Sequence, residues 1–441
     1  MQVMAEFTKN ISEMFLEEKV IFVSYDPEKF DSTTFAKLYL KLKFTTKQNR
    51  SFIATITPEN AHLVRNIILK LQNTSKAILV GHNLKPFFTF MQRITKKPLR
   101  LTNIIDLGWY ESYTAKASSK ANLKAQIESL TALFGDRELL KLYKRIYLPL
   151  IVEVIPELES TGLVEDNLGM LVFPNYHIEG QNNGRLSTSC EYKRCYNPHS
   201  LGDDQKLNLK LINKHQMFLH MDYRNMEVVV LAHLANDITL LNIIKEKPYR
   251  VYEEIFELAT GQKDFAEARN VGKKLFLPVI YGQTEGGLAS SLGISREQSA
   301  IYISNLHKHF HDSFAFVEVA QKEAASNGCV IDHFGRKRIL QSDETHKARN
   351  FVIQSPSALI CIESLVNLYN GRYNDDKEIF KIAFHVHDGY CVFADDGYMQ
   401  ETYKTCHNIL CQPSKLIENL NLNVSSKIGK SLAKMAEIRK R

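Results

Sequence analysis

Three short segments carry side chains that could act together on a phosphate. In the first, the apolar run 217–221 delivers Asp222, and an apolar helical pattern begins directly after it. In the second, His387-Asp388-Gly389 joins two apolar runs. In the third, Arg269, Lys273, Leu277 and Tyr281 recur every four residues, which sets all four along one helical face. Each segment alone has an ordinary explanation. Asp222 could cap a helix or turn; Asp-Gly is a preferred hairpin dipeptide; a basic face on an amphipathic helix is commonly just solvated. Together they suit nucleotidyl transfer. Two carboxylates at strand ends can share a pair of divalent ions about 4 Å apart, one activating a 3′-hydroxyl and the other stabilising the leaving pyrophosphate. Such transfer depends on positioning and charge neutralisation. Arg269 would grip phosphate bidentately, and Lys273 would act as a point charge able to protonate the leaving group. Tyr281 would stack near the base.

The elements that must position these residues are readable in outline. A strand over 217–223 runs into a helix over 225–234, and 381–394 reads as a hairpin whose tight turn falls at Asp388-Gly389. Helical patterns fill 252–285 and 295–327, with Pro278 expected to kink or end the first half of its helix. Upstream, 138–161 reads as one long amphipathic helix ended at Gly162. The first 135 residues alternate strands (20–25, 51–57, 77–81) with helices (61–71, 123–133), and 115–122 reads as a loop. This is a small α/β domain.

In this arrangement the sequence resembles the family A DNA polymerases. The segment 222–234 is similar to their motif A, 269–287 to motif B and His387-Asp388 to motif C. Gly184-Arg185-Leu186-Ser187-Thr188 is similar to the template-primer segment, with His177 upstream and Asn197-Pro198 downstream. The resemblance covers residue 138 to the C-terminus. It implies an α/β exonuclease-like (ribonuclease-H-like) domain over 1–137. After it comes an α+β right-hand polymerase domain over 138–441, with an antiparallel palm sheet (about 172–235 and 335–441) and helical fingers (about 236–334). The implied activity is DNA-directed DNA polymerisation with two Mg2+ ions, Mn2+ being able to substitute. Asp222, Asp388 and the Tyr223 carbonyl are implied as metal ligands, with Lys273 joining the two aspartates as catalytic. Arg269, Lys273, Leu277, Tyr281, Glu227 and Tyr223 are implied to bind the nucleotide, Glu227 as the steric gate against a 2′-hydroxyl. Arg185, Gln354, Asn350, His387, Asn197 and Arg336 are implied at the DNA, with Arg185 and Gln354 on minor-groove acceptors that every correct pair presents.

Several positions depart from the family pattern. Leu277 stands where an aromatic residue is usual, Gly389 replaces a Glu, and Val229 replaces an Arg. In the N-terminal region, Ser24-Tyr25-Asp26 occupies the place of an Asp-x-Glu pair, and Phe87 that of a metal-binding Asp, which implies a degenerate exonuclease. Only 163–173 lies where a long helical thumb would be. A missing or minimal thumb implies weak, salt-dependent hold on duplex and low processivity, unless a clamp protein substitutes.

Composition is compatible with this reading. The 441 residues carry a formal charge of +7 and a pI near 8.8, which suits a polyanionic partner. The seven cysteines are scattered, which fits a reducing compartment better than a disulfide framework; Cys406, His407 and Cys411 read as core and surface residues rather than a zinc site. Residues 1–15 do not resemble a signal peptide, and no apolar stretch reads as a membrane span. The expectation is a soluble intracellular protein of a bacterium or phage-infected cell, an organelle not being excluded. Two other classes fit less well. A catalytically idle nucleic-acid scaffold would not need Asp222, Asp388, Arg269, Lys273 and Tyr281 together. As to a primase or untemplated nucleotidyl transferase, the Glu227 gate weighs against ribonucleotide use, though not against untemplated addition.

Overall fold

The structure is a computed structural model that describes residues 19–26, 40–46, 51–57, 59–75, 77–120, 122–165, 169–178, 180–190, 195–263 and 266–438. The polar N-terminus, 1–15, lies outside them.

The N-terminal unit is built on a five-stranded sheet. Val20–Asp26 lies at its centre, antiparallel to Leu40–Thr46, which pairs with Ser51–Ile56; on the other side it runs parallel to Ile78–Gly81, followed by Ile104–Asp106. Helices Ala61–Ser75, Lys85–Thr95 and Leu123–Gly135 accompany it. The strands 40–46 and 104–106 were not expected from the sequence. The second is only three residues long and offers no sustained pattern, whereas the first does alternate Leu40, Leu42 and Phe44 with Lys41, Lys43 and Thr45, a signal that the sequence reading passed over.

The long helix expected over 138–161 is present, but it is not regular. Arg137–Leu142 continues through two π-helical turns, Tyr143–Tyr147 and Leu150–Val154, into Ile155–Leu158. Its aromatic face joins the two halves of the chain. Trp109 packs against Tyr113, Tyr143 and Tyr147 with ring centroids 4.6–5.2 Å apart. Lys85 donates to Glu159 at 2.7 Å and to the Tyr176 carbonyl at 2.8 Å, both in the interior. One continuous apolar core therefore runs from Ile21 and Val80 through Tyr143 and Tyr147 to Leu219, Tyr223 and Tyr390. Packing does not break at residue 137.

The C-terminal part centres on a second five-stranded sheet, antiparallel throughout. Its order is Lys381–Val386, Gly389–Asp395, Gln216–Tyr223, Val424–Ser431 and Lys434–Glu437. Behind it lies Lys347–Asn370, a 24-residue helix with most of its residues buried. This helix corrects two expectations. It was not foreseen, because an apolar helix buried all round has no amphipathic period to read. It is also long and apolar enough to cross a membrane, with a mean hydropathy of 1.4, yet 89% of that stretch is buried inside the protein. It is the core helix of this fold.

The helices Val251–Thr260, Ala268–Ile280, Glu285–Leu292, Arg296–His309 and His311–Asn327 form a separate helical unit around Leu275, Phe276, Phe310 and Phe314. The two long helical patterns expected here are broken into five, with Gly261 and Gly293 at positive φ ending two of them. Pro278, by contrast, ends nothing. It stands two residues from the end of Ala268–Ile280, where only one backbone bond is forfeited. At Gly272 a Cβ would stand 2.1 Å from the Tyr252 carbonyl oxygen, so the glycine lets two helix backbones touch.

Between Gly162 and Pro174 the strands Leu163–Glu165 and Met170–Val172 form a short antiparallel hairpin. Cys190 and Cys195 form a disulfide with their Cα atoms 5.4 Å apart, which corrects the expectation of unpaired cysteines. Phe173 bridges to Cys195 and Asn175 pairs with Ser189, so one short segment lies beside both cysteines' positions.

Candidate active site

The strand Gln216–Tyr223 carries Asp222 at its C-terminal end. In the register with Gly389–Asp395, Asp222 lies directly opposite Gly389, so the next residue, Asp388, stands beside it. The Tyr223 N–H donates to the Asp388 carbonyl at 3.1 Å and locks this alignment. The turn itself differs from expectation. Gly389 already belongs to the strand, the turn residues are His387 and Asp388, and only His387 (φ 55°) has a positive φ. The requirement for an open φ thus falls one residue earlier than the Asp-Gly rule placed it.

Both carboxyls are pushed above the ordinary range. Burial is the main cause for each. Asp388 rises to about 6, with the nearby Asp222 charge as the second cause. For Asp222, Lys273, Lys427 and Arg224 oppose the rise. Two half-buried like charges side by side, only partly offset by these cations, are an arrangement that a divalent cation would neutralise. Among the described residues, no group of three or more His, Cys, Asp or Glu stands ready as a closed metal cage. The donor set fits an open site whose remaining ligands come from substrate oxygens.

The helix Ala268–Ile280 faces this pair. Arg269 and Lys273 are exposed and make no ion pair among the described residues, Lys273 is close enough to act on Asp222, and Leu277 is half-buried against the helical core. At its end the Tyr281 hydroxyl donates to Glu227, which also accepts from Arg185. Glu227 sits in the first turn of Met226–Ala235. Its carboxylate is therefore held from two sides. Nearby, Asn183 donates to Gln354 at 3.1 Å and accepts from the Arg185 N–H at 3.1 Å. Asn350 lies one turn before Gln354 on the core helix.

Three expected DNA-facing residues need comment. His387 is exposed at the turn, stacked edge-on against His199 at 4.9 Å. Asn197 spends its side-chain oxygen on Thr188 and on the His199 N–H. Arg336 is a correction: it is 7% exposed, donates to the Tyr147 hydroxyl at 2.9 Å and lies 4.4 Å over the Tyr113 ring. It joins the two halves of the chain, and its guanidinium lies against Gly184, where a Cβ would stand 2.8 Å from it. Arg336→Ala should accordingly lower thermal stability, by about 1–3 kcal/mol, because the hydrogen bond to Tyr147 and the contact with the Tyr113 ring are lost. Affinity of the folded fraction for DNA should hold, as checked by calorimetry and duplex titration.

The sequence reading missed His220, His199 and His385. His220 lies two residues before Asp222, on the same strand face, which strand alternation alone could have signalled. Burial and Lys427 draw its pKa down. His385 is fully buried at the back of the hairpin, both ring nitrogens lacking a partner. Of the departures, Val229 is a core residue 5% exposed, so an arginine would not fit its present surroundings.

The sequence profile of DNA polymerase family A matches residues 152–434. The chain is 26% identical over 227 residues to DNA polymerase I of Synechocystis sp. (strain PCC 6803), covering 51% of this chain and 22% of that protein. It is 26% identical over 180 residues to DNA polymerase I of Bacillus caldotenax (38% and 20%). With the DNA polymerase of Mycobacterium phage L5 it shares 28% over 158 residues (35% and 24%). The chain thus spans less than a quarter of the length of these relatives. A solved structure of the POL domain of Pol1 from M. smegmatis, in complex with DNA primer-template and dNTP, superimposes with a TM-score of 0.71 at 14% identity, covering 97% of this chain and 98% of that one. The fold is that of a polymerase domain, and with a profile match over more than half of its residues the chain belongs to DNA polymerase family A.

Proposed function

We propose that the chain is a DNA-directed DNA polymerase that adds deoxynucleotides to a primer 3′-hydroxyl under template direction. The observation that carries this reading is the Asp222–Gly389 pairing, which sets Asp222 and Asp388 side by side below the Arg269–Tyr281 helix face. Two Mg2+ ions, or Mn2+, would supply activation of the 3′-hydroxyl and stabilisation of pyrophosphate there. Asp222 and Asp388 hold that charge. On a regular strand the Tyr223 carbonyl shares an edge with its N–H, which faces Asp388, and this supports it as a third ligand. Arg269 and Lys273 receive the triphosphate, Lys273 delivers a proton to the departing pyrophosphate, and Tyr281 and Leu277 border the base and sugar. Glu227, fixed by Arg185 and Tyr281, walls off a 2′-hydroxyl. Arg185 and Gln354 meet the minor-groove edge, with Asn350, His387 and the free amide of Asn197 toward primer and template.

The antiparallel sheet and core helix are the palm, the five-helix unit the fingers. The short 163–172 hairpin supports a minimal thumb and hence low processivity, with a clamp protein as the partner that would raise it. The N-terminal unit reads as a degenerate exonuclease. Phe87 is 4% exposed in the core and carries no donor for a metal.

The test is extension of a labelled primer on a template with Mg2+ and each nucleotide set. Extension by deoxynucleotides that vanishes in Asp388→Ala is expected, with the primer 3′-end left intact. No extension with any nucleotide would contradict the reading, and loss of 3′ nucleotides would overturn the exonuclease assignment.

A further inference from the structure

Asp222 is faced by cations from three elements. Lys273 reaches it from the helix Ala268–Ile280, and Lys427 and Arg224 act on it too. Register fixes Lys427. On the strand Val424–Ser431 it lies directly opposite His220, while Ser425 lies opposite Asp222. Lys427 is therefore the diagonal neighbour of Asp222 on the same sheet face, near enough for a long side chain to reach it. It is exposed and makes no ion pair or hydrogen bond among the described residues. Arg224 leaves the end of the catalytic strand, where its N–H donates to the Asn423 carbonyl at 2.7 Å. Its guanidinium lies 5.4 Å from the centre of the exposed Tyr249 ring and 3.6 Å from the Glu437 carboxylate. Glu437 itself is half exposed and stands opposite Lys427 on the edge strand Lys434–Glu437. A single carboxylate thus lies beside one of these cations and across from the other.

We propose that Arg224 and Lys427 form a second phosphate seat beside Asp222, which takes the pyrophosphate end of the incoming nucleotide, and that Glu437 fills it until the nucleotide arrives. The inference rests on the polymerase reading of the site and adds a wall to it. Position supports the pyrophosphate end. Asp388 and its hairpin lie on one side of the catalytic strand, and Lys427 lies on the other. Arg224 and Lys427 gather on Asp222 together with Lys273, which serves the leaving group, whereas Asp388 is faced by Arg185. In an in-line displacement the attacking and leaving oxygens stand on opposite sides of the phosphorus. Charge supports the anion. A guanidinium presents a planar fork to phosphate oxygens, and an aromatic ring against it steadies the fork. The ammonium of Lys427 adds a mobile point charge. Pyrophosphate carries more negative charge than one carboxylate, so it displaces Glu437 from the seat.

The experiment uses the full chain with primer-template and Mg2+. It reads KM for the complementary deoxynucleotide, inhibition by inorganic pyrophosphate, and affinity for the primer-template without nucleotide. The variants are Lys427→Gln, Arg224→Gln, Arg224→Lys and Glu437→Gln, each first shown to be folded by circular dichroism. Lys427→Gln and Arg224→Gln should each raise KM and the inhibition constant of pyrophosphate about tenfold, as for one lost charged hydrogen bond. Primer-template affinity should hold, and Arg224→Lys should recover part of the loss. Glu437→Gln should move both constants the other way by removing the competing carboxylate, a sign that a merely structural role would not produce. Unchanged constants in Lys427→Gln and Arg224→Gln, with extension intact, would overturn the proposal and leave the polymerase reading standing. Weaker primer-template binding with pyrophosphate inhibition unchanged would give the seat to a primer phosphodiester and overturn it as well. No extension by the wild type would remove both readings.

Discussion

Asp388→Asn should abolish nucleotide addition, by at least about 10³-fold, and yet raise the thermal stability of the cation-free protein. The activity loss follows from removing one of two carboxylates that hold the ions, since electrostatic stabilisation of several kcal/mol disappears with it. The stability gain follows from the Asp388 carboxyl itself. Burial, and then the Asp222 charge, raise it to about 6, above an unfolded value near 4. A raised acid stabilises the fold fully below about pH 4 and loses that contribution as pH climbs through about 6. At pH 7.5 the wild type therefore carries the cost of the ionised form, and a neutral amide of the same shape relieves about 2 kcal/mol of it. Differential scanning calorimetry without divalent ions should show the variant melting a few degrees higher at pH 7.5. The gap should close at pH 4. An unchanged or lower melting temperature at pH 7.5 would mean that the pair is not an unbalanced charge.

Glu227→Ala should let ribonucleotides in. The carboxylate is fixed by two donors, Arg185 and Tyr281, so it cannot swing aside for a 2′-hydroxyl as an untethered side chain would. Its loss removes the wall and leaves both donors unpaired in a half-buried site. Discrimination against ribonucleotides, read as the ratio of kcat/KM values, should fall roughly 10- to 200-fold. Deoxynucleotide addition should fall much less. Discrimination that survives the substitution would assign the gate elsewhere.

The candidate site was more legible in the sequence than the frame that holds it. Asp222, Asp388 and the Arg269–Tyr281 face could be read because short-range rules place them: an apolar strand running into a helix, two apolar runs about an Asp-Gly turn, a four-residue repeat. The core helix Lys347–Asn370 could not, since burial on all sides leaves no period. Nor could the role of Arg336, whose partners Tyr113 and Tyr147 lie about two hundred residues away in sequence. Gly389 shows the same limit at the site itself. It read as a lost carboxylate, and only its neighbours on the adjoining strand reveal that a Cβ there would be crowded against Asp222 and His220.

The central claim is that the site copies a template. Its most direct measurement is single-nucleotide addition, in one turnover, to four primer-templates that differ only in the templating base, each offered all four deoxynucleotides separately. The complementary deoxynucleotide should be added in strong preference on every template, and none on the single-stranded primer. Addition of the same nucleotide whatever the template, or equally to the single strand, would contradict it.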